Sequence, residues 1–270
     1  MVTEVSGANA CRRLRPALGT FVSVRAVADA TRIAECAVPA AFDCFETVQR
    51  LMNPTSGRDL FALHTAQLGR PIRVHRWTWD VLVLSAEVND ISEGRFDPCV
   101  PEHDGCMRDV ELPEPEVVVL RRRIALDLGG IAKGFAVDRA VERLISAGCD
   151  AGEVNAGGDV RVFGPQVTPL WLRTHRAMRR IALRDGACAV SDPLGRDRPT
   201  EHRGYYSRVT QKGELNLGST AAVVAPVAAV ADALTKCVLL CRQQGALLKR
   251  TLLHFDATSI DFDEVNGAGG

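Results

Sequence analysis

The run Asp127-Leu128-Gly129-Gly130-Ile131-Ala132-Lys133-Gly134-Phe135-Ala136-Val137-Asp138 joins two kinds of hydrophobic pattern. Ahead of it, the alternation over residues 124–128 reads as a strand, and behind it Phe135, Val141, Leu144 and Ile145 recur at helical spacing until Gly148, a natural stop. The local unit is thus a strand, a glycine turn and an amphipathic helix. Glycines at a helix start let an anion approach the backbone closely, while the helix dipole and Lys133 add positive potential. The same glycines also suit a tight turn that does no more than pack strand against helix, and the pattern leaves both readings open.

Upstream, residues 18–27 alternate as a strand, and Asp29 is placed to cap a helix running to Met52. Val38, Ala41, Phe42, Phe45, Val48 and Met52 share one face of that helix, which Pro39 should kink or delay. Ser56 is placed to cap a short helix through His64, and residues 79–91 carry another apolar stripe that Gly94 stops. A proline-rich connection then leads to a strand at 117–120. Downstream, residues 153–163, broken by Gly157-Gly158, and then 170–174, 180–184 and 188–191 read as strands joined by turns. Residues 215–231 read as a buried strand running toward a helix, with 229–241 as the last helix. Strands cluster instead of alternating strictly with helices, which favours an α+β fold over a doubly wound parallel sheet. With no internal repeat and no Ser/Gly-rich linker, residues 1–270 read as one interleaved domain, with poorly ordered ends expected at 1–12 and 258–270.

Composition narrows the function. Hydrophobic residues make up 46% of the chain and charged ones 24%, so a disordered array is excluded. Lys and Arg number 33 against 33 Asp and Glu, and a neutral chain lacks the basic surface that nucleic-acid binding needs. No nucleic-acid partner is expected, and any anion site must be local. The 9 cysteines, an odd number scattered through apolar patterns, fit a reducing, cytoplasmic setting. Residues 1–16 carry no apolar segment behind a basic start, so no signal peptide is expected despite Ala10-Cys11. Asn216, Gly218, Ser219, Thr220 and Pro226 interrupt the longest uncharged run, which leaves no membrane span.

The familiar nucleotide and hydrolase motifs are missing. Ala132 precedes Lys133 and Gly134 follows it, which is not the phosphate loop of the NTPases, and Gly157-Gly158 opens no helix as a dinucleotide fingerprint would. Neither Gly-x-Ser-x-Gly nor Ser-x-x-Lys occurs. Cys99, His103 and Cys106 offer three zinc ligands without a fourth, and Cys237 and Cys241 read as core thiols on one helix face.

The run at 127–138 resembles the signature of the ApbE family of flavin transferases, the FAD:protein FMN transferases. Other blocks of that family stand in order: Ala17-Leu18-Gly19-Thr20, Phe96-Asp97-Pro98, Val154-Asn155-Ala156-Gly157-Gly158-Asp159-Val160 and Ala231-Asp232-Ala233-Leu234. The resemblance implies a T-fold-related α+β architecture of two interleaved lobes with FAD in the cleft between them. It also implies transfer of the FMN moiety of FAD to a Thr or Ser hydroxyl of an acceptor protein, with release of AMP and help from Mg²⁺. Carried over by position, the FAD-binding residues are Leu18, Gly19, Thr20, Asp97, Gly129, Gly130, Lys133, Asn155, Gly157, Gly158 and Asp159. The metal ligands are the carbonyl of Ala132, the carboxylate of Asp232 and a hydroxyl near Thr235, and Asp232 and Lys236 stand at the chemistry.

Several positions depart from that pattern. Where the family has a Thr four residues after the metal-binding Asp, this chain has Lys236, with Thr235 one position early on the same helix face. Lys236 cannot ligate Mg²⁺ and is placed to pair with Asp232, if only as a solvated i, i+4 pair. The block Tyr205-Tyr206-Ser207-Arg208-Val209-Thr210-Gln211-Lys212-Gly213 lacks the family's His-Ile-x-Asp-Pro, and Arg208 and Lys212 bring either surface charge or extra positive potential to the diphosphate. His64 stands where the family has Asn, and Cys99 where it has Thr. Asp97 and Asp159 also have local readings, as turn carboxylates that bond their own backbone. The departures keep alternatives open: a catalytically impaired flavin-binding protein, or an FAD pyrophosphatase in which water attacks.

Overall fold

A computed structural model of the chain describes residues 9–100, 103–174, 178–192, 220–241, 245–260 and 262. The chain enters through an antiparallel hairpin of β1 (Ala10–Ala17) and β2 (Thr20–Val27). Leu18 and Gly19 turn it with φ of 48° and 71°, the two left-handed residues that a type I′ turn requires. α1 (Thr31–Met52) follows, its face of Val38, Ala41, Phe42, Phe45, Val48 and Met52 buried as the periodicity demands, with Pro39 inside it. Next come α2 (Arg58–His64), β3 (Pro71–Arg73), α3 (Arg76–Ile91), β4 (Val110–Glu114) and β5 (Val117–Leu120), and the strands form a small sheet in the order β3-β5-β4.

The glycine stretch leads into α4 (Ala132–Ser146) and a second hairpin, β6 (Ala151–Ala156) and β7 (Asp159–Phe163). Then follow the hairpin β8 (Thr168–Arg173) and β9 (Met178–Leu183), β10 (Gly186–Ser191), β11 (Ala221–Ala225), α5 (Ala228–Leu240), α6 (Gly245–His254) and β12 (Thr258–Ile260). Among the described residues, seven strands make one antiparallel sheet in the order β1-β2-β6-β7-β10-β11-β12. α1, α4 and α5 lie side by side across one face of it, α1 over β1 and β2, α4 over β6 and β7, α5 over β10 and β11, and the main core fills the layer between. The β8–β9 hairpin covers part of the other face, where Leu170, Leu172 and Leu183 meet Val160, Val162 and Cys188. Alternation along β7 therefore turns Val160 and Val162 toward that hairpin and Asp159 and Arg161 toward α4. Helices on one face of an antiparallel sheet make this an α+β fold.

Local expectations need correcting. Residues 124–128 are not a strand: Leu126 makes one isolated bridge to Cys99, its N–H goes to the His64 ring at 2.8 Å, and that of Asp127 goes to the Pro98 carbonyl at 2.9 Å. With those donors spent on a side chain and a loop, no ladder forms, and Leu128–Gly130 curls into a 3₁₀ turn. Asp29 does not cap α1, whose N-cap is Ala30, and Gly57 rather than Ser56 precedes α2. α3 starts three residues before Trp79 because the His75 ring accepts the Trp77 N–H. β1 and α6 escaped the sequence reading, and residues 10–12 and 258–260, expected to be poorly ordered, belong to β1 and β12. Tyr205 to Gly213, Arg208 and Lys212 among them, lie outside the described residues.

The zinc reading also falls. Cys99 is buried beside Leu126, Cys106 bonds Asp109, and no group of His, Cys, Asp and Glu among the described residues is arranged to hold a metal. All 9 cysteines are unpaired thiols. No described helix is long and apolar enough to cross a membrane.

Candidate functional site

The approach to the glycine turn is pinned before the turn begins. Asp97 is buried, and its carboxylate accepts the N–H groups of Cys99 at 2.9 Å and Met107 at 3.4 Å, which fixes the Pro98 carbonyl that receives Asp127. Asp127 in turn accepts the Gly129 N–H at 2.8 Å, and Ile131 N–H closes on Leu128 at 3.0 Å. These bonds set where α4 starts and leave Gly129 exposed and Gly130 half-buried at its mouth.

A cleft of about 220 Å³ opens there. Its walls are the Leu18-Gly19 turn, the last turn of α1 with Asn53 and Pro54, and Gly129, Ala132 and Lys133 at the start of α4. Gly19 has φ of 71° and an added Cβ there would meet nothing within 4 Å, so the backbone conformation, not crowding, calls for glycine. The neighbouring β6–β7 hairpin turns on Gly157 and Gly158 with φ of 60° and 103°, again a type I′ geometry. Asn155 steadies it by accepting the Gly158 N–H at 3.2 Å. A Cβ on Gly157 would stand 2.5 Å from the Thr20 hydroxyl, so this glycine lets the second turn seat against the first residue of β2.

Behind the cleft lies a buried cluster of two acids and two amines. Lys133 reaches from the cleft wall to Asp159, Nζ to Oδ2 at 2.6 Å. Asp159 is 1% exposed and its Oδ1 receives no hydrogen bond from the described residues. Burial, and next the nearby charge of Asp232, push the Asp159 carboxyl up to about 7 against the pull of Lys133 and Lys236. Asp232, also buried, accepts the Gly134 N–H at 3.2 Å and so caps α4 from α5. Its other oxygen pairs with Lys236, whose Nζ also donates to the Asp232 carbonyl at 2.9 Å. Burial alone would raise the Asp232 carboxyl, but Lys236 and Lys133 outweigh it and hold the group below its ordinary range. Thr235 donates to the Asp232 carbonyl at 2.7 Å and meets the Ser191 hydroxyl at 2.7 Å.

The start of α5 is capped in the opposite sense. Asp138 of α4 accepts the N–H groups of Ala228 and Ala229, both at 2.8 Å, and pairs with Arg161 of β7 at 2.8 Å. The two helix starts touch closely: a Cβ on Gly134 would stand 2.3 Å from the Ala228 carbonyl, so only glycine fits between them.

Of the residues singled out from sequence, the structure gathers Leu18, Gly19, Gly129, Ala132 and Lys133 around the cleft, with Asp159, Asp232, Thr235 and Lys236 behind it. Thr20 and Gly157 stand together in the paired turns, with Asn155 and Gly158 holding the second. Asp97 bonds local backbone and supports the turn from behind. Sequence reasoning missed the end of α1 as a cleft wall, although Asn53-Pro54 at a helix end is a visible break signal. It also missed the cap made by Asp138 and the Ser191 contact, which depend on residues far apart in the chain.

Residues 18–252 match the model of the ApbE family. Among solved structures, the ApbE protein of Thermotoga maritima is 22% identical, with 92% of this chain and 91% of that one covered and a TM-score of 0.72. The flavinyl transferase ApbE of Pseudomonas stutzeri, in its apo form, is 17% identical, with 97% and 98% covered and a TM-score of 0.70. The flavin transferase ApbE of Vibrio cholerae is 17% identical, with 93% and 92% covered and a TM-score of 0.68. At these identities the likeness to solved structures bears on the fold. No curated protein matches the sequence.

Proposed function

The chain belongs to the ApbE family, and from that premise we propose that it moves the FMN portion of FAD to a Thr or Ser hydroxyl of an acceptor protein and releases AMP. The observation that carries this reading is the cleft at the start of α4, where two glycine-bearing turns leave open space beside Lys133. The positive end of the helix and the Lys133 ammonium suit a diphosphate, and burial of Asp159 behind Lys133 holds that ammonium in one place.

The acceptor hydroxyl oxygen bonds to the phosphorus that carries riboflavin, the bond from that phosphorus to the bridging oxygen breaks, and the electron pair leaves on AMP. The hydroxyl proton passes to solvent. Such a transfer asks the protein for alignment and for neutralisation of spreading phosphate charge more than for covalent chemistry. Lys133 and the first turn of α4 supply the neutralisation, and Leu18 and Gly19, in the hairpin turn on which Gly157 packs at Thr20, shape the wall that aligns FAD. The Mg²⁺ implied by the family resemblance asks for several hard oxygen ligands in near-octahedral array. Here one Asp232 oxygen is paired with Lys236, the other accepts from Gly134, and the Thr235 hydroxyl is held between the Asp232 carbonyl and Ser191. Asp232 and Thr235 therefore do not fit the ion, and the Ala132 carbonyl alone would not hold it.

The test is to incubate the protein with FAD, with and without an acceptor polypeptide bearing Thr or Ser, and to follow AMP and protein-bound flavin together. We expect AMP and covalent flavin to rise in step and only with acceptor present. AMP without covalent flavin would identify a pyrophosphatase, and FAD binding without AMP a flavin-binding protein; either outcome replaces the transferase reading.

A further inference from the structure

Asp232 sits in a buried set of charges, and both of its own carboxylate oxygens are already engaged, one by Lys236 and one by the Gly134 N–H. When both carboxyls are ionised, Asp159 and Asp232 supply two negative charges against the two positive ones of Lys133 and Lys236, and both carboxyls are almost fully buried. Lys236 is 7% exposed, so its ammonium is not a solvated surface charge that swings away at little cost. It is held twice by one residue, through the Asp232 carboxylate and the Asp232 carbonyl at 2.9 Å. A dication entering beside Asp232 would have to displace that ammonium while facing Lys133 and Lys236 together, and among the described residues no third carboxylate joins the cluster to compensate it.

We infer that the Lys236 ammonium is a built-in cation that takes the place of a divalent metal, so that this chain binds its dinucleotide without one. The inference rests on the flavin reading for the identity of that dinucleotide. Its chemistry is specific: a monovalent ammonium on a tethered stem neutralises the carboxylate that caps α4, which keeps the positive helix end and Lys133 available to the ligand's phosphates. The cluster loses no charge balance when chelators remove metal, because its cation is covalently part of the chain.

Two measurements decide it. FAD affinity, read by quenching of flavin fluorescence, should change less than about twofold between EDTA and millimolar Mg²⁺ for the native chain. In Lys236→Thr, it should fall at least about tenfold in EDTA and recover with Mg²⁺. Binding of Mn²⁺, read by its paramagnetic resonance, should be absent for the native chain and appear in Lys236→Thr. The native protein alone suffices if the variant does not fold: Mn²⁺ bound by the native chain, or a tenfold gain in FAD affinity with Mg²⁺, overturns the inference. Absence of FAD binding in every condition would instead remove the flavin reading, and the Mn²⁺ measurement would still decide the role of Lys236.

Discussion

α4 and α5 begin against each other and exchange caps, Asp232 of α5 on Gly134 and Asp138 of α4 on Ala228 and Ala229. The strand beneath repeats the exchange with the charges reversed: β7 offers Asp159 to Lys133 and Arg161 to Asp138. Alike in job, the two caps differ in surroundings. Asp138 has one cation and two backbone donors, and burial still pushes its carboxyl above the ordinary range. Asp232 has one backbone donor and two ammonium groups, and these hold its carboxyl below that range. The difference follows from position, because one of those ammonium groups, Lys133, lines the cleft, whereas Arg161 and Asp138 do not. One helix start is framework and the other is framework adapted to an anion.

The largest expected effect tests that division. Asp138→Ala and Asp232→Ala should each cost about 3–5 kcal/mol in urea unfolding, since each strands a partner cation and leaves helix-start N–H groups unpaired, two for Asp138 and one for Asp232. Only Asp232→Ala should move FAD affinity, and upward, because Lys236 is left uncompensated near Lys133. Equal changes in FAD affinity for the two folded variants would show that the caps are not distinct.

Sequence carried the α1 face, the glycine-ended helices and the Gly157-Gly158 break, because these rest on local periodicity and on φ values that favour glycine, but it read Leu18 and Gly19 as strand where they turn the first hairpin. It failed at residues 124–128, where an alternating run spends its donors on His64 and Pro98, and at Asp29, where a good capping residue stands one position too early. At the site it placed Asp232 and Lys236 on one helix face but could not say whether water surrounds them. Burial of that pair is set by β10, β7 and α4 closing over α5, contacts between residues as far apart as Gly134 and Asp232. Asp138 carried no local mark of its task for the same reason.

A smaller effect reads the two environments through pH. For Asp159, raised from its ordinary 3.8 to about 7, the native state keeps a proton over that window that the unfolded chain has released. Its contribution is therefore complete at acid pH and is lost as pH rises toward 7, at up to about 1.4 kcal/mol per pH unit. Asp159→Asn should flatten that fall in unfolding free energies measured between pH 4 and pH 7. The sign is opposite for Asp232, whose lowered carboxyl contributes stability above its ordinary value and loses it as pH falls, so Asp232→Asn should act on the acid limb alone. If Asp159→Asn leaves the slope unchanged, the carboxylate is charged throughout and Lys133 dominates its surroundings.

The smallest effect concerns the framework side. Arg161 meets Asp138 through a single Nη1 contact at 2.8 Å and its side chain is 17% exposed, so a shorter, hydrated ammonium can serve in its place. Asp138 also keeps its two backbone donors when Arg161 changes, whereas Asp232 keeps one backbone donor, Gly134, when Lys236 changes. Arg161→Lys should therefore cost about 0.5–1 kcal/mol, the value of one exchanged hydrogen bond, and leave FAD affinity untouched. A cost of about 3 kcal/mol or more would mean that Asp138 depends on its cation as a buried pair does. The two helix starts would then be one kind of structure, and the special character of the Asp232 side would rest on Lys133 alone.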